Sequence, residues 1–419
     1  MIAFKLHKCD HPDTDKLFKI TGSKSESNRW LILQSLFSDL VLNNLSNSDD
    51  TRYLRKALDS TDHILDIGHA GTAMRFGTAL FASQAGKSVV ITGSDRMKER
   101  PIGILVNALQ SIGAQITYLN KEGYPPLEIT GKKLKGGTVT LQANVSSQYI
   151  TALCLIAPVL ENGLEIELIG EVTSRPYIEM TLSILKKIGC DIQWDENFDD
   201  NVEKISIQPI KNIGKLSQTV ESDWSSTGYW YTWVAFQNIG YKISLESFYS
   251  DSMQGDSKLQ DIYKKFGVET SFEGNNLVLT KTSDTIDQQL HFDLTEQPDQ
   301  AQTIFVTCLG LGINVELTGL HTLKIKETDR IEAMKEVGSR FRESVITTTS
   351  DSIKLILPHN SKLLHEFVVD TYHDHRMALS FAPLCKFTDV QINDPMVVTK
   401  SYPSYYEHLK SINVSITEI

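Results

Sequence analysis

Six times along this 419-residue chain a small polar cluster opens a nearly all-apolar segment, and that recurring order limits the folds open to it more than any single word in the sequence. The clusters begin near Ser23 (GSKSESNRWLILQSLF), His69 (HAGTAMRFGTALFA), Ser146 (SSQYITALCLIAPVL), Asp223 (DWSSTGYWYTWVAF), Asp299 (DQAQTIFVTCLGLG) and Asp374 (DHRMALSFAPLCKF). From the third cluster onward they lie roughly 75 residues apart, long enough for a supersecondary unit. Strand-like runs such as SVVITG, LEIELIG and KISLESF follow. After them comes an amphipathic helix pattern, usually ending in Gly: DDTRYLRKALDS, RPIGILVNALQSIG, RPYIEMTLSILKKIG, DSKLQDIYKKFG, ETDRIEAMKEVG and PSYYEHLKSINV.

A helix that is apolar all round must be surrounded by protein, whereas an amphipathic one covers a surface. Each unit is therefore expected to hold an inner helix, an outer helix and strands beside them. The chain is longer than the size at which one hydrophobic core stops growing, so two domains are expected. Three units make an ordinary domain, which places the division near Val220 to Ser222.

If the polar clusters sit at helix amino ends, free N–H groups and the positive end of the helix dipole make those ends anion sites. The clusters carry Lys24, Arg29, Arg75 and Arg376, and Arg100, Lys326, Arg330 and Lys400 lie in neighbouring turns. A cation at a helix amino end is disfavoured by about 0.3–1 kcal/mol, and a bound anion would account for it. Ser, Thr, Asp and Asn at the same places are also ordinary N-caps, so each polar residue taken alone stays open between the two roles. With 41 Lys plus Arg against 52 Asp plus Glu and a net charge of −11, a general nucleic-acid or anionic-membrane surface is excluded, and any cations for a ligand must be gathered locally.

The cysteines, Cys9, Cys154, Cys190, Cys308 and Cys385, are scattered without metal-ligand spacing and read as reduced packing residues of a cytoplasmic protein. The start, MIAFKLHKCDHPD, becomes charged too soon for a signal peptide. The longest apolar run, Ile150 to Leu160, falls short of the roughly 20 residues that span a bilayer.

TGSKSESNRW, HAGTAMRF, ITGSDRMKERPIGILVNAL, VSSQYITAL, SRPYIEMTL, DSMQGD, PDQAQT, KIKETDR, YHDHRMA and TKSYPSYY resemble, in order, the successive signatures of the 3-phosphoshikimate 1-carboxyvinyltransferases, or EPSP synthases. The resemblance runs from residue 21 to residue 406 and is specific as a set, although GSKS or KETDR alone would be weak. It implies an α/β fold, a two-domain inside-out α/β barrel with three βαβαββ repeats per domain. It also implies that the first strand belongs with the second half, giving domains of residues 1–21 with 222–419 and of residues 22–221. The implied activity is transfer of the enolpyruvyl group of phosphoenolpyruvate to the 5-hydroxyl of shikimate 3-phosphate, by addition and elimination, with release of phosphate.

By the same resemblance Ser146, Ser147, Ser174 and Lys326 hold the 3-phosphate, Ser25 and Arg29 the carboxylate, and Gln148 and Tyr177 the ring. Lys24, Arg100, Arg330, Arg376 and Lys400 clamp phosphoenolpyruvate, with Gly71 and Gln148 lining the donor pocket. Asp299 and Glu327 are the implied acid and base, Asp299 at the hydroxyl and Glu327 with Lys24 at the methylene. His375 is either a ligand contact or a helix-start residue. No metal and no organic cofactor are implied, and the expected partners are the two small substrates, with no nucleic acid, no membrane and a monomeric state. Gly71 also implies inhibition by glyphosate in competition with phosphoenolpyruvate.

Two positions depart from the family pattern: His69 and Thr322 stand where Asn is common. The sister transferase acting on UDP-N-acetylglucosamine is the nearest rival, and its loop cysteine has no counterpart in SDRMKERP. A non-catalytic anion-binding protein on the same scaffold is the alternative of another class, disfavoured because Lys24, Asp299 and Glu327 are all present. A phosphate-loop hydrolase is weaker still, since GSKS lacks the upstream glycine.

Overall fold

The apolar segments are helices: α1 (Lys24–Leu36), α2 (Gly71–Ser83), α3 (Ser147–Ile156), α4 (Trp224–Ala235), α5 (Ala301–Leu311) and α6 (His375–Phe381). They come from a computed structural model describing residues 2–144, 146–364 and 367–419. As expected of helices without a polar face, α2 is buried from Gly71 to Ala82, and α4 is buried at every position but Ser225. The amphipathic patterns form the outer helices Asp49–Asp59, Gly103–Ser111, Arg175–Lys187, Leu259–Lys264, Arg330–Gly338 and Tyr405–Ser411. Asp49–Asp59, for example, buries Asp50, Thr51, Leu54 and Ala57 along one face.

The strands repeat one pattern. In the sheet of Ile64–Asp66, Ser88–Thr92, Gln115–Tyr118 and Leu127–Thr130, the first two pair in parallel and the fourth lies antiparallel between the second and third. The sheet starting at Gly137–Gln142 and the one starting at Gln289–Asp293 have the same order. Ala3–Leu6 fills the corresponding place beside Val390–Asn393 and Ile416–Glu418, so the amino-terminal strand completes the last repeat. The repeat around α1 departs from the expected six like copies. It has only the parallel pair Leu40–Asn43 and Leu216–Thr219, because helix Asp49–Asp59 leads almost directly into Ile64, leaving no residues for a hairpin.

Two compact units result, residues 1–21 with 221–419 and residues 22–220. At the two crossings the chain exchanges strands. Lys16–Phe18 pairs in parallel with Lys242–Glu246 inside the first unit, and Leu216–Thr219 pairs with Leu40–Asn43 inside the second. Gly22 is needed at its crossing, since a Cβ there would stand 1.9 Å from the Asn44 carbonyl oxygen.

The core of the first unit is aromatic. Trp224, Tyr229, Trp230, Tyr231 and Trp233 of α4 are all buried, Phe18 stacks on Trp230 at 4.7 Å, and the Trp230 indole donates to the Tyr402 hydroxyl at 3.0 Å. Removing one such ring costs about 3–5 kcal/mol. Hydroxyls join the helices inside this core: Thr232 of α4 lies 2.9 Å from both Tyr263 and Thr307 of α5. These packed helices fix the positions of their own amino ends, where the chemistry-bearing residues lie.

Candidate active site

In the unit formed by residues 1–21 and 221–419, several helix starts bring charged groups onto one guanidinium. Asp299 lies in the turn Pro298–Gln300 that precedes α5, and Lys326 and Glu327 in the segment before helix Arg330–Gly338. Asp374 and Arg376 open α6, and Lys400 ends the turn Pro395–Lys400. Arg330 is 2% exposed and divides its donors among three carboxylates: Nη1 to Asp299 at 2.9 Å, Nη2 to Glu327 at 2.9 Å and Nε to Asp374 at 2.7 Å. Burial works against the Arg330 cation, but Asp374, Glu327 and Asp299 outweigh it and hold the guanidinium above its ordinary value.

Further cations surround the same carboxylates. Arg376 Nη2 lies 3.2 Å and Lys326 Nζ 3.5 Å from Asp299, while Lys400 pairs with Glu327. Four cations thus meet three carboxylates in this unit. Asp374 is fully buried, caps α6 by accepting from the Arg376 backbone N–H at 2.9 Å, and lies 3.5 Å from His375 Nδ1. His375 is therefore both a helix-start residue and a neighbour of the cluster, while the hydroxyl oxygen of Thr322, shortly before Lys326 in sequence, is buried without a partner.

The unit of residues 22–220 treats its cations differently. Lys24, first residue of α1, has its Nζ 3.9 Å from Asp50, which opens helix Asp49–Asp59. Arg29, one turn along, is 3% exposed and is engaged by oxygens of three helices. Its Nε donates to Thr181 at 2.8 Å, Nη1 to the Ser25 carbonyl at 2.7 Å, and Nη2 to the Tyr177 carbonyl at 2.9 Å and Thr151 at 3.3 Å. Burial pulls its guanidinium down to about 10, which leaves it charged at neutral pH. Of its five N–H groups, four are committed inside the protein.

Ser146 and Ser174 occupy the N-cap positions of α3 and of helix Arg175–Lys187, and neither makes a capping hydrogen bond through its side chain. Ser23 and Asp223 do cap their helices in that way. Ser147 and Gln148 are the first residues of α3, and Tyr177 lies in the first turn of Arg175–Lys187, so Ser146, Ser147, Gln148, Ser174 and Tyr177 collect at two helix amino ends of one unit. Arg100 lies against the start of α2. A Cβ on Gly71 would stand 2.9 Å from its Nη1 and 3.0 Å from its Nη2. Gly71 does not have positive φ, so the missing Cβ makes room for this close approach and does not serve a turn. His69 packs edge-on against Tyr53 at 5.6 Å.

Asp374 and Asp50 escaped the sequence reading as site residues, since both look like helix-opening acids. Arg75, which reads as an anion-facing cation, is 4% exposed and donates to the carbonyls of Gly71 and Pro101. Among the described residues, no group of three or more His, Cys, Asp or Glu could hold a metal ion, and no helix is long and apolar enough to cross a membrane.

Residues 54–409 match the family model of EPSP synthase (3-phosphoshikimate 1-carboxyvinyltransferase). The chain is 42% identical over 403 residues to the 3-phosphoshikimate 1-carboxyvinyltransferase of Bacteroides fragilis strain YCH46, covering 95% of each chain. It is 35% identical to that of a Sulfurovum species, over 94% of this chain and 96% of the relative. Among solved structures, EPSP synthase from Acinetobacter baumannii superposes with a TM-score of 0.77 at 22% identity, over the whole of both chains. The enolpyruvyl transferase NikO from Streptomyces tendae gives 0.71 at 11%, over 100% of this chain and 99% of NikO. With the α/β repeats common to those structures and with close relatives matched over nearly their full length, the chain belongs to the EPSP synthase family.

Proposed function

We infer that the protein transfers the enolpyruvyl group of phosphoenolpyruvate to the 5-hydroxyl of shikimate 3-phosphate and releases phosphate. It is a transferase of aromatic amino-acid biosynthesis. The observation that carries the reading at the level of chemistry is the pair Asp299 and Glu327, held on the two terminal nitrogens of one buried Arg330. Addition requires a base to take the hydroxyl proton as its oxygen bonds to C2 of phosphoenolpyruvate, while an acid protonates the methylene. Elimination returns a proton from the new methyl group and expels phosphate, so acid and base exchange roles. We assign Asp299 to the hydroxyl and Glu327, with Lys24 as a third proton carrier, to the methylene.

The remaining assignments follow the two sets of helix ends. The unit of residues 1–21 with 221–419 supplies Arg330, Arg376 and Lys400 for the donor's carboxylate and phosphate, and Lys326 for the acceptor's phosphate. The unit of residues 22–220 supplies Ser146, Ser147 and Ser174 for the 3-phosphate, Ser25 and Arg29 for the carboxylate, Gln148 and Tyr177 for the ring, and Gly71 and Arg100 for the donor. The uncapping hydroxyls of Ser146 and Ser174 support this division. The five free, buried cysteines suit an enzyme of the reducing cytoplasm.

Release of phosphate from phosphoenolpyruvate, measured with and without shikimate 3-phosphate, tests the function. Dependence on shikimate 3-phosphate is the expected result. Release with UDP-N-acetylglucosamine in its place, or none with either acceptor, would overturn it.

A further inference from the structure

The carbonyl of Pro101 accepts two hydrogen bonds from buried side chains. Arg75 Nη2 donates to it at 3.0 Å, and the Tyr149 hydroxyl at 2.6 Å. A carbonyl oxygen has two lone-pair directions, so both are filled by groups that are 4% and 5% exposed. Arg75 belongs to α2 and also reaches the Gly71 carbonyl at 3.3 Å and the Met97 sulfur at 3.7 Å. Tyr149 belongs to the first turn of α3, where its backbone N–H donates to the Ser146 carbonyl at 3.0 Å.

The segment held in this way carries Arg100. Its backbone is fixed on either side of the clamp, with the Arg100 N–H on the Met97 carbonyl at 3.1 Å and the Ile102 N–H on the Gly123 carbonyl at 2.9 Å. The guanidinium extends from there onto the start of α2, in the space left by the missing Cβ of Gly71, with its Nε buried and unpartnered. One side chain therefore connects the first turn of α3, which holds Ser146, Ser147 and Gln148, to the peptide that sets the height of Arg100 over Gly71.

We propose that Tyr149 is a positioning residue for the donor: through the Pro101 carbonyl its hydroxyl holds Arg100 in place to receive the anionic phosphoenolpyruvate. This deepens the functional reading above and rests on it. A cation placed by a hydrogen bond at the peptide next to it matters for binding the anion in ground and transition state alike, so its loss should appear in the donor KM more than in kcat. The size of the effect is that of one buried hydrogen bond, about threefold to tenfold.

The test is Tyr149→Phe, which keeps the ring that packs the core and removes only the hydroxyl. The donor KM is expected to rise about threefold to tenfold, with kcat and the shikimate 3-phosphate KM within about twofold of the parent. A merely structural hydroxyl would lower the melting temperature and leave the donor KM alone. Combining Tyr149→Phe with Arg100→Ala fixes the route. If Tyr149 acts through Arg100, the second change adds nothing to the donor KM of the Arg100→Ala enzyme. An unchanged donor KM in Tyr149→Phe, or full additivity in the double variant, overturns the proposal while leaving the function intact. Absence of acceptor-dependent phosphate release in the parent overturns both.

Discussion

The two units share an architecture and differ in what surrounds their buried arginines. Arg330 is held by three carboxylates, whereas Arg29, equally buried, is held by hydroxyl and carbonyl oxygens. The same contrast appears in how tightly each guanidinium holds its proton: the hold is raised in Arg330 by its carboxylates and lowered in Arg29 by burial. A carboxylate cage fixes a cation and at the same time gives the unit groups that accept and donate protons. A cage of neutral oxygens fixes a cation without adding an acid or base. The repeat thus supplies helix ends in both units, and the two carboxylates of the proton chemistry proposed above, Asp299 and Glu327, both belong to the unit with the carboxylate cage.

The sharpest way to break that comparison is to neutralise the carboxylates one at a time. Asp299→Asn and Glu327→Gln are each expected to reduce kcat by about a hundredfold to ten-thousandfold, with KM values changing much less. Steady-state kinetics on each variant checks this. Near-normal turnover in either would remove that residue from the proton chemistry. Asp374→Ala comes next and acts first on stability. It leaves a fully buried guanidinium short of its best partner, a loss of about 3–5 kcal/mol in urea unfolding.

Arg29→Met provides the contrast within the other unit. It removes a cation from among neutral oxygens and takes one donor from each of the Ser25 and Tyr177 carbonyls and the Thr181 and Thr151 hydroxyls, while Thr181 still donates to the Tyr177 carbonyl at 2.8 Å and lies 3.2 Å from Thr151, at a cost of about 1–3 kcal/mol. Unfolding of the two variants side by side is the measurement. Equal losses in Asp374→Ala and Arg29→Met would mean that the carboxylates add nothing to the way these arginines are held.

Much of this arrangement can be read from residues alone, and the places where it cannot share a cause. The apolar runs and their caps locate α1 to α6, because period and end chemistry are local. The strand exchange is not local. Lys16–Phe18 pairs with Lys242–Glu246, and nothing in either run names the other, so the crossing was accessible only by resemblance. The shortened repeat around α1 is hidden by six helix pairs that look alike, and its mark lies only in spacing, with the His69 cluster following the Ser23 cluster far sooner than the later clusters follow one another. Within the site, Asp374 reads as an N-cap and is one, but the same carboxylate also holds Arg330, and a sequence pattern exposes only the first role. Arg75 was misjudged in the opposite direction, since its position at a helix start says nothing of the two carbonyls it serves.

Gly71→Ala probes the smaller cationic feature of the 22–220 unit. The added methyl would meet the Arg100 guanidinium at 2.9 Å, and the guanidinium, being the far end of a flexible side chain, is expected to swing aside. The cost falls near the low end of overpacking, about 1 kcal/mol, and shows as a donor KM several-fold higher with the melting temperature unchanged. Glyphosate competing with phosphoenolpyruvate should lose more affinity than the donor. A fall in stability equal to the fall in donor binding would count against this reading of the close approach.

The smallest effect expected concerns the crossings themselves, where Gly22 answers to space and Glu221 to charge. Glu221 is buried, and its carboxylate accepts from Trp224 Nε1 at 2.9 Å, the Tyr249 N–H at 3.0 Å, Ser252 Oγ at 2.5 Å and Gln254 Nε2 at 3.0 Å. Burial raises its carboxyl above the ordinary value of 4.5, and those four donors pull it back only in part. In the unfolded chain the same group ionises near 4.5, so above that pH the unfolded state gives up its proton while the folded state retains it. The contribution of this group to stability is therefore fully present below 4.5 and declines as pH rises through the folded value. Glu221→Gln has no such titration, though it disturbs the four hydrogen bonds by an amount that does not vary with pH. Urea unfolding of parent and variant at several pH values from 4 to 8 separates the two contributions. The stability of the variant relative to the parent should rise with pH across the interval above 4.5, whatever its constant offset. A difference that stays flat, or that moves in the parent's favour as pH rises, would mean that the hydrogen bonds at this crossing prevail over burial.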